Sequence, residues 1–148
     1  MSQERGTFSG LSARQWSSVL HSAECMELIA PGGVGRVGFA SATGQEIIPV
    51  NFAMLDGDVV FRALSSGLLA RLAGVRVGFE VDRIDDATKS GWSVLVQGTM
   101  IRITDRALLA RGRNAVRAWA GGDRDSFMRI RPDRVSGRRV GPDEEVRR

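Results

Sequence analysis

Residues 76–85 read RVGFEVDRID, in which Val77, Phe79 and Val81 alternate with Arg76, Gly78, Glu80 and Asp82. Alternation at period two sends successive side chains to opposite faces of a pleated strand, so this segment predicts a β-strand with one apolar face. The rhythm recurs on both sides of it. GRVGFAS (35–41) and IIPVNFAML (47–55) are expected strands, the second with Val50, Phe52 and Met54 on one face and Pro49, Asn51 and Ala53 on the other. Asp56-Gly57 is a two-residue hairpin signal, because the primed turns need positive φ, and DVVFRAL (58–64) returns from it. GWSVLVQGTMIRIT (91–104) is a long strand with Gly98 inside it, where a bulge or bend is expected, and FMRIRPDRVSGRR supplies a last one. Short links make neighbours antiparallel, since parallel pairs need a longer crossover. The expected fold class is mainly β with flanking helices, six antiparallel strands curling into a small barrel.

Helices are expected at the ends and edges. Ser12 with Gln15 matches a capping box leading into ARQWSSVL, and Ser22 is placed to cap AECMELIA, which Pro31-Gly32-Gly33 ends. GLLARLAG follows the third strand as a short helix. DRALLARGRNAVRAWA (105–120) reads as a helix capped by Thr104 or Asp105.

At 148 residues, with 43% hydrophobic, the chain has the size of one domain and enough apolar side chains for a core. The expected division is a single domain over 1–140 and a charged tail over 141–148. No run of eighteen apolar residues calls for a membrane span, and MSQERGTFSG lacks the apolar stretch of a secretory signal. The lone cysteine, Cys25, excludes an internal disulfide and fits a reducing cytoplasm.

The net charge of +4 is local: 20 of the 21 basic residues are arginine, and residues 129–148 carry seven arginines against four acids. A nucleic-acid groove calls for clustered cations interleaved with stacking aromatics, yet tyrosine is absent and Trp16, Trp92 and Trp119 lie far apart. No nucleic-acid partner is expected.

Two motifs have weak claims. GVGRVG (33–38) matches the dinucleotide fingerprint, but that fingerprint needs a strand before it and a helix after it, and the order here is the reverse. His21 and Cys25 stand four apart, yet a helix start falls between them, so a surface histidine and a buried thiol are expected rather than a nucleophilic pair. With one histidine and one cysteine, a structural zinc site cannot be built from soft ligands. Asp85-Asp86 and Glu144-Glu145 read as solvated charges.

The remaining candidates surround FRALSSGLL (61–69). If the strands on either side of Asp56-Gly57 are in register, Pro49 and Asn51 lie near Arg62, and Ser65, Ser66 and Gly67 follow. A guanidinium fork beside small residues with available amides suits a phosphate. The alternative is an ion pair between Arg62 and Glu80 or Asp82 on a neighbouring strand, and composition does not choose.

In order, the segments VGRVGF, IIPVNF, DGDVVFR, VGFEVD, GWSVLVQG and IRPDRVSGRR resemble the pyridoxamine 5′-phosphate oxidase-like proteins, the FMN-binding split β-barrels, in their short bacterial branch. The likeness spans roughly residues 20–140. It implies a six-stranded antiparallel split β-barrel that forms a homodimer with FMN between subunits. Pro49, Val50, Asn51 and Phe52 would line the flavin ring through main-chain contacts, Arg62 would meet the phosphate, and Trp92 and Ser93 would reach the partner's cofactor. The implied activity is flavin-dependent oxidoreduction, a hydride passing via FMN to or from a small substrate, with NAD(P)H as a donor.

The same branch typically continues arginine–threonine and then glycine–serine–lysine–leucine, where this chain has Arg62-Ala63 and Ser66-Gly67-Leu68. Losing a charge-assisted hydrogen bond costs roughly 1.5–3 kcal/mol, about one to two decades in affinity. Ser65 and Ser66 are placed to compensate in part. Two alternatives therefore stand: a cofactor-eroded barrel acting as a binding or sensing module, and a deazaflavin-dependent reductase drawing on Arg36, Arg138 or Arg139.

Overall fold

The computed structural model describes residues 15–64, 67–116 and 125–142. Strands dominate it: β1 (Gln15–Leu20), β2 (Gly33–Ser41), β3 (Gly44–Leu55), β4 (Asp58–Leu64), β5 (Arg76–Asp85), β6 (Ser90–Arg102) and β7 (Asp125–Pro142). Helices α1 (Ser22–Ile29), α2 (Leu68–Arg71) and α3 (Arg106–Ala115) lie between them. All pairings are antiparallel, in the order β1-β7-β4-β3-β2-β5-β6, and a β6–β7 ladder closes β2 to β7 into a ring. The six expected strands are the six of the ring.

β7 makes the closure possible. It pairs with β4 over 125–130, with β6 over 128–140 and with β1 over 137–142. β4 and β1 therefore share the edge opposite β6, one at each end of a single long strand. The β6–β7 register shifts at Gln97/Gly98, where the sequence leads one to expect a bulge. A Cβ at Gly98 would lie 2.0 Å from the Arg131 carbonyl oxygen, so only glycine lets the strands approach this closely.

Period-two burial sorts the side chains as expected. Val37, Phe39, Val50, Phe52, Val59, Phe61, Val77, Phe79, Val81, Val94 and Val96 point inward into one core, to which α1 adds Cys25 and Ile29 and α2 adds Leu69. Phe52 and Phe79 meet edge to face, 5.0 Å between centroids. Gly35 is part of this packing: a Cβ there would meet the Phe79 ring at 2.2 Å. The glycines of GVGRVG thus serve a strand and its packing. A second cluster forms outside the ring, where α3 covers Val60, Phe127, Ala53 and Leu55 through Leu108 and Leu109. Asp56 (φ 53) and Gly57 (φ 81) have the positive φ that the hairpin signal requires.

Several local expectations are corrected. The expected first helix through ARQWSSVL is instead strand β1 over its described residues, with Ser12 outside them. Its six-residue ladder on β7, Gln15↔Pro142 to Leu20↔Gly137, overrides the local capping pattern. Ser22 is not the cap of α1; it is the first helical residue, behind His21, which makes no side-chain cap bond. The helix after β4 shrinks to Leu68–Arg71, because Gly74 (φ 88) turns the chain into β5. α3 ends at Ala115 rather than 120, and residues 117–120 lie outside the described set. Asp105, not Thr104, caps it by accepting from the Leu108 N–H at 2.8 Å. β7 continues through Pro142, two residues into the expected tail.

Candidate functional site

The β3–β4 ladder runs from Leu55↔Asp58 to Phe52↔Phe61, and the next positions outward are Asn51 and Arg62. There the two strands diverge. β3 keeps β2 as its neighbour, through Val34↔Asn51 and Arg36↔Pro49, while β4 turns to β7 through Arg62↔Phe127. Pro49, Asn51 and Arg62 therefore share the outer face at the mouth of a split between strands. Val50 and Phe52 point into the core, 8% and 4% exposed, so only their main chain faces this region.

Arg62 is half-buried. Its guanidinium carbon lies 5.3 Å from the centroid of the Phe127 ring, its cross-strand partner. The expected alternative, an ion pair with Glu80 or Asp82, is not what occupies those acids. Arg36 meets them, at 3.8 Å from Glu80 and 3.5 Å from Asp82. The reason is topological: β2 and β3 both stand between β5 and β4.

The acids are themselves perturbed. Burial, then the hydrogen bond and charge of Asp82, push the Glu80 carboxyl up to about 7, and the attraction of Arg36 only partly opposes this. The row Pro49–Arg36–Glu80–Leu95 crosses four strands on the outer face. Beside it Gly38 faces Gly78, and a Cβ at Gly38 would meet nothing nearer than 4.0 Å, which leaves a flat strip flanked by exposed Ile47 and Leu95.

The rest of the FRALSSGLL stretch is divided. Ser65 and Ser66 lie outside the described residues. The Gly67 N–H donates to the Leu64 carbonyl at 2.8 Å, so it is already committed to the turn. Leu68 opens α2 and is 41% exposed. Ala63 is buried beside Val59 and Phe61, on the face opposite Arg62. A threonine hydroxyl there would enter the core rather than add a donor beside the guanidinium.

Trp92 and Ser93 are not brought to this place within one chain. Asp82↔Ser93 and Val34↔Asn51 set Ser93 three strands away from Asn51, roughly 14 Å at the usual strand spacing. Successive residues also face opposite ways: Trp92 packs against the core, and Ser93 lies on the outer face opposite Arg138.

The other chemical candidates are structural. Cys25 is fully buried, and burial with the neighbouring Glu24 pushes its thiol up, away from nucleophilic use, while His21 is exposed. Asp85 caps its hairpin by accepting from the Ala87 and Thr88 amides. Among the described residues no group of three or more potential ligands is placed to hold a metal, and no helix is long and apolar enough to cross a membrane. Sequence reasoning missed the Arg62–Phe127 contact and the Arg36 cluster, because both depend on cross-strand register that one strand's pattern does not carry.

A ring of six antiparallel strands, split beside an arginine at a strand end, defines the split-barrel class. Family comparison makes this specific: a profile described as pyridoxamine 5′-phosphate oxidase matches residues 21–139, and the chain belongs to that family. The uncharacterized protein Rv0080 of Mycobacterium tuberculosis is 32% identical over 129 residues, covering 83% of this chain and 85% of that one. Among solved structures, the FAD binding protein from Mycobacterium smegmatis superposes with a TM-score of 0.71 at 29% identity, covering 83% and 97% of the two chains. A conserved protein of unknown function from Corynebacterium diphtheriae, DIP1874, gives a TM-score of 0.68 at 28% identity, covering 82% and 96%.

Proposed function

We propose that this chain is a flavin-binding oxidoreductase that takes FMN at the β3–β4 split and works as a cytoplasmic homodimer. The observation that carries the reading is the divergence of the two strands at Asn51 and Arg62, which leaves the outward-facing Asn51 of β3 and the half-buried Arg62 of β4 at neighbouring strand positions. In this reading Arg62 forks two phosphate oxygens. The main chain of Pro49, Val50, Asn51 and Phe52 borders the ring system, and the inward side chains of Val50 and Phe52 hold that strand against the core. Gly67 and Leu68 border the phosphate, while Trp92 and Ser93 serve the second subunit's cofactor.

The residues fit one phosphate group better than two. Arg62 is the charged donor at the split, and Leu68 contributes none, which suits the monoester of FMN. The Mycobacterium smegmatis relative is an FAD binding protein, so FAD is the natural competitor in a test. A flavin held here supplies hydride transfer between a nicotinamide donor and a small substrate. The protein's part is position, exclusion of water and the field of Arg62. That division of labour accounts for a fold without a nucleophile–base pair among its described residues.

Exposed Val34, Ile47 and Leu95 on the outer face support the homodimer, since a second subunit would cover them and wall the cofactor. The deazaflavin reading gains less support. Arg36 is engaged by Glu80 and Asp82, and Arg138 donates to the Ser17 hydroxyl at 3.3 Å. One observation favours a second reading, a cofactor-eroded binding module: an exposed leucine, Leu68, stands where the resemblance expects the phosphate lysine.

The visible absorption spectrum of the protein as purified is the direct test, followed by titration of stripped protein with FMN, FAD and the deazaflavin coenzyme. A flavin band, with FMN the tightest of the three, is expected. Absence of the band together with no FMN binding at high micromolar concentration contradicts the enzyme reading and leaves the eroded module.

A further inference from the structure

Arg62 does not stand alone on its face. Its guanidinium lies over the ring of Phe127, 5.3 Å from the centroid, and that ring is 3% exposed. Phe127 is fixed on three sides. Its backbone pairs with Arg62 in the β4–β7 ladder, its carbonyl accepts from the Ile103 N–H at 2.8 Å, and its side chain packs with Val60, Ile103 and Val116. The remaining side is α3. A Cβ at Gly112 would lie 3.1 Å from Phe127 Cδ1 and 3.5 Å from Cε1, with Val60 Cγ1 at 3.7 Å, so the helix backbone rests on the ring edge where its side chain is missing. α3 is anchored by the Asp105 cap at its start and by the pairing of Arg111, the residue before Gly112, with Asp56.

We propose that Phe127 and Gly112 are positioning residues for Arg62. The ring face holds the guanidinium in one place on the outer face of β4, on its β7 side, and the close approach of α3 at Gly112 fixes where the ring lies. A flexible arginine would otherwise lose rotamer freedom on meeting an anion, and pre-stacking on an aromatic face removes part of that loss before the ligand arrives. A wider residue at 112 displaces the ring, and a non-aromatic residue at 127 leaves the guanidinium without its platform. The proposal rests on the reading that Arg62 meets a flavin phosphate, and concerns which residues make that arginine selective.

The test compares FMN with riboflavin, which lacks the phosphate, by fluorescence-quenching titration of the stripped protein and its Arg62→Met, Phe127→Met and Gly112→Ala variants, with melting temperatures alongside. Wild type is expected to prefer FMN, and Arg62→Met to abolish the preference. Phe127→Met and Gly112→Ala are expected to weaken FMN binding about three- to tenfold with riboflavin unchanged. Gly112→Ala is the sharper control, because alanine favours helix and, if the close approach to Phe127 has no role, raises the stability of α3 without changing the preference for FMN. Equal loss of both ligands in the Phe127 variant, or an unchanged ratio in both variants, overturns the positioning role while Arg62 keeps its own. A wild type that does not distinguish FMN from riboflavin overturns the phosphate reading itself, and the positioning role with it.

Discussion

Arg111 grips the carboxylate of Asp56 with both terminal nitrogens, at 2.6 and 3.0 Å, and so ties α3 to the tip of the β3–β4 hairpin. The pair is solvent-exposed, so its direct contribution to global stability is small. Its effect is local, since it holds in place the helix that covers Val60 and Phe127 beside Arg62. Arg111→Met is expected to speed hydrogen exchange of α3 amides while leaving those of β5 and β6 unchanged. The Asp56 carboxyl is lowered, first by its hydrogen bond to Arg111 and then by the Arg111 charge. A lowered carboxyl contributes stability above its unfolded value and loses it as pH falls through the folded one. The α3 protection should therefore fall in acid in wild type and show no such acid step in Arg111→Met.

Leu68 and Ala63 differ in what they would regain. Leu68→Lys adds a cation at the exposed start of α2, and FMN affinity is expected to rise about tenfold or more. Ala63→Thr places a hydroxyl in the core, so it is expected to cost about 1–3 kcal/mol of stability without tightening FMN. Calorimetric titration and thermal melts of the two single variants separate these outcomes.

Glu80 gives the fold a pH dependence of defined sign. Its folded carboxyl, held at about 7 against 4.5 for an ordinary glutamate, binds its proton more tightly in the folded state. That contribution is complete below the unfolded value and is lost as pH rises through about 7, so the melting temperature should decline over this window. Glu80→Gln flattens the decline. Arg36→Met, which removes the opposing positive charge, moves it to higher pH.

Gly98 carries the bulge on which ring closure depends. With its Cβ position 2.0 Å from a backbone oxygen that belongs to β7, Gly98→Ala cannot be accommodated by a side-chain shift. The expected loss is about 2–4 kcal/mol, read from urea midpoints. An alanine variant as stable as wild type would show that β6 and β7 do not close the ring at this register.

Period two made the six ring strands legible, because each strand's inward set is written in its own residues. RVGFEVDRID matches β5 to the residue, and Asp56-Gly57 marks its turn through backbone sterics alone. β1 was not legible: QWSSVL has Leu20 buried and Val19 exposed, and its strand conformation comes from β7, more than a hundred residues away. The site divides the same way. The outward facing of Pro49 and Asn51 follows from alternation, and the approach of Arg62 follows from hairpin register. Arg62's ring platform required β7, and Arg36's capture of Glu80 and Asp82 required the β2–β5 pairing, both non-local relations.

The central claim is that Arg62, at the point where β3 and β4 part, holds the phosphate of a flavin. FMN titration of stripped wild-type protein against Arg62→Met tests it most directly, because methionine keeps an apolar stem on Phe127 and removes only the charged fork. The account predicts that FMN affinity falls by about one to two decades in the variant while riboflavin binding is unchanged. Equal FMN affinity in the two proteins would contradict it.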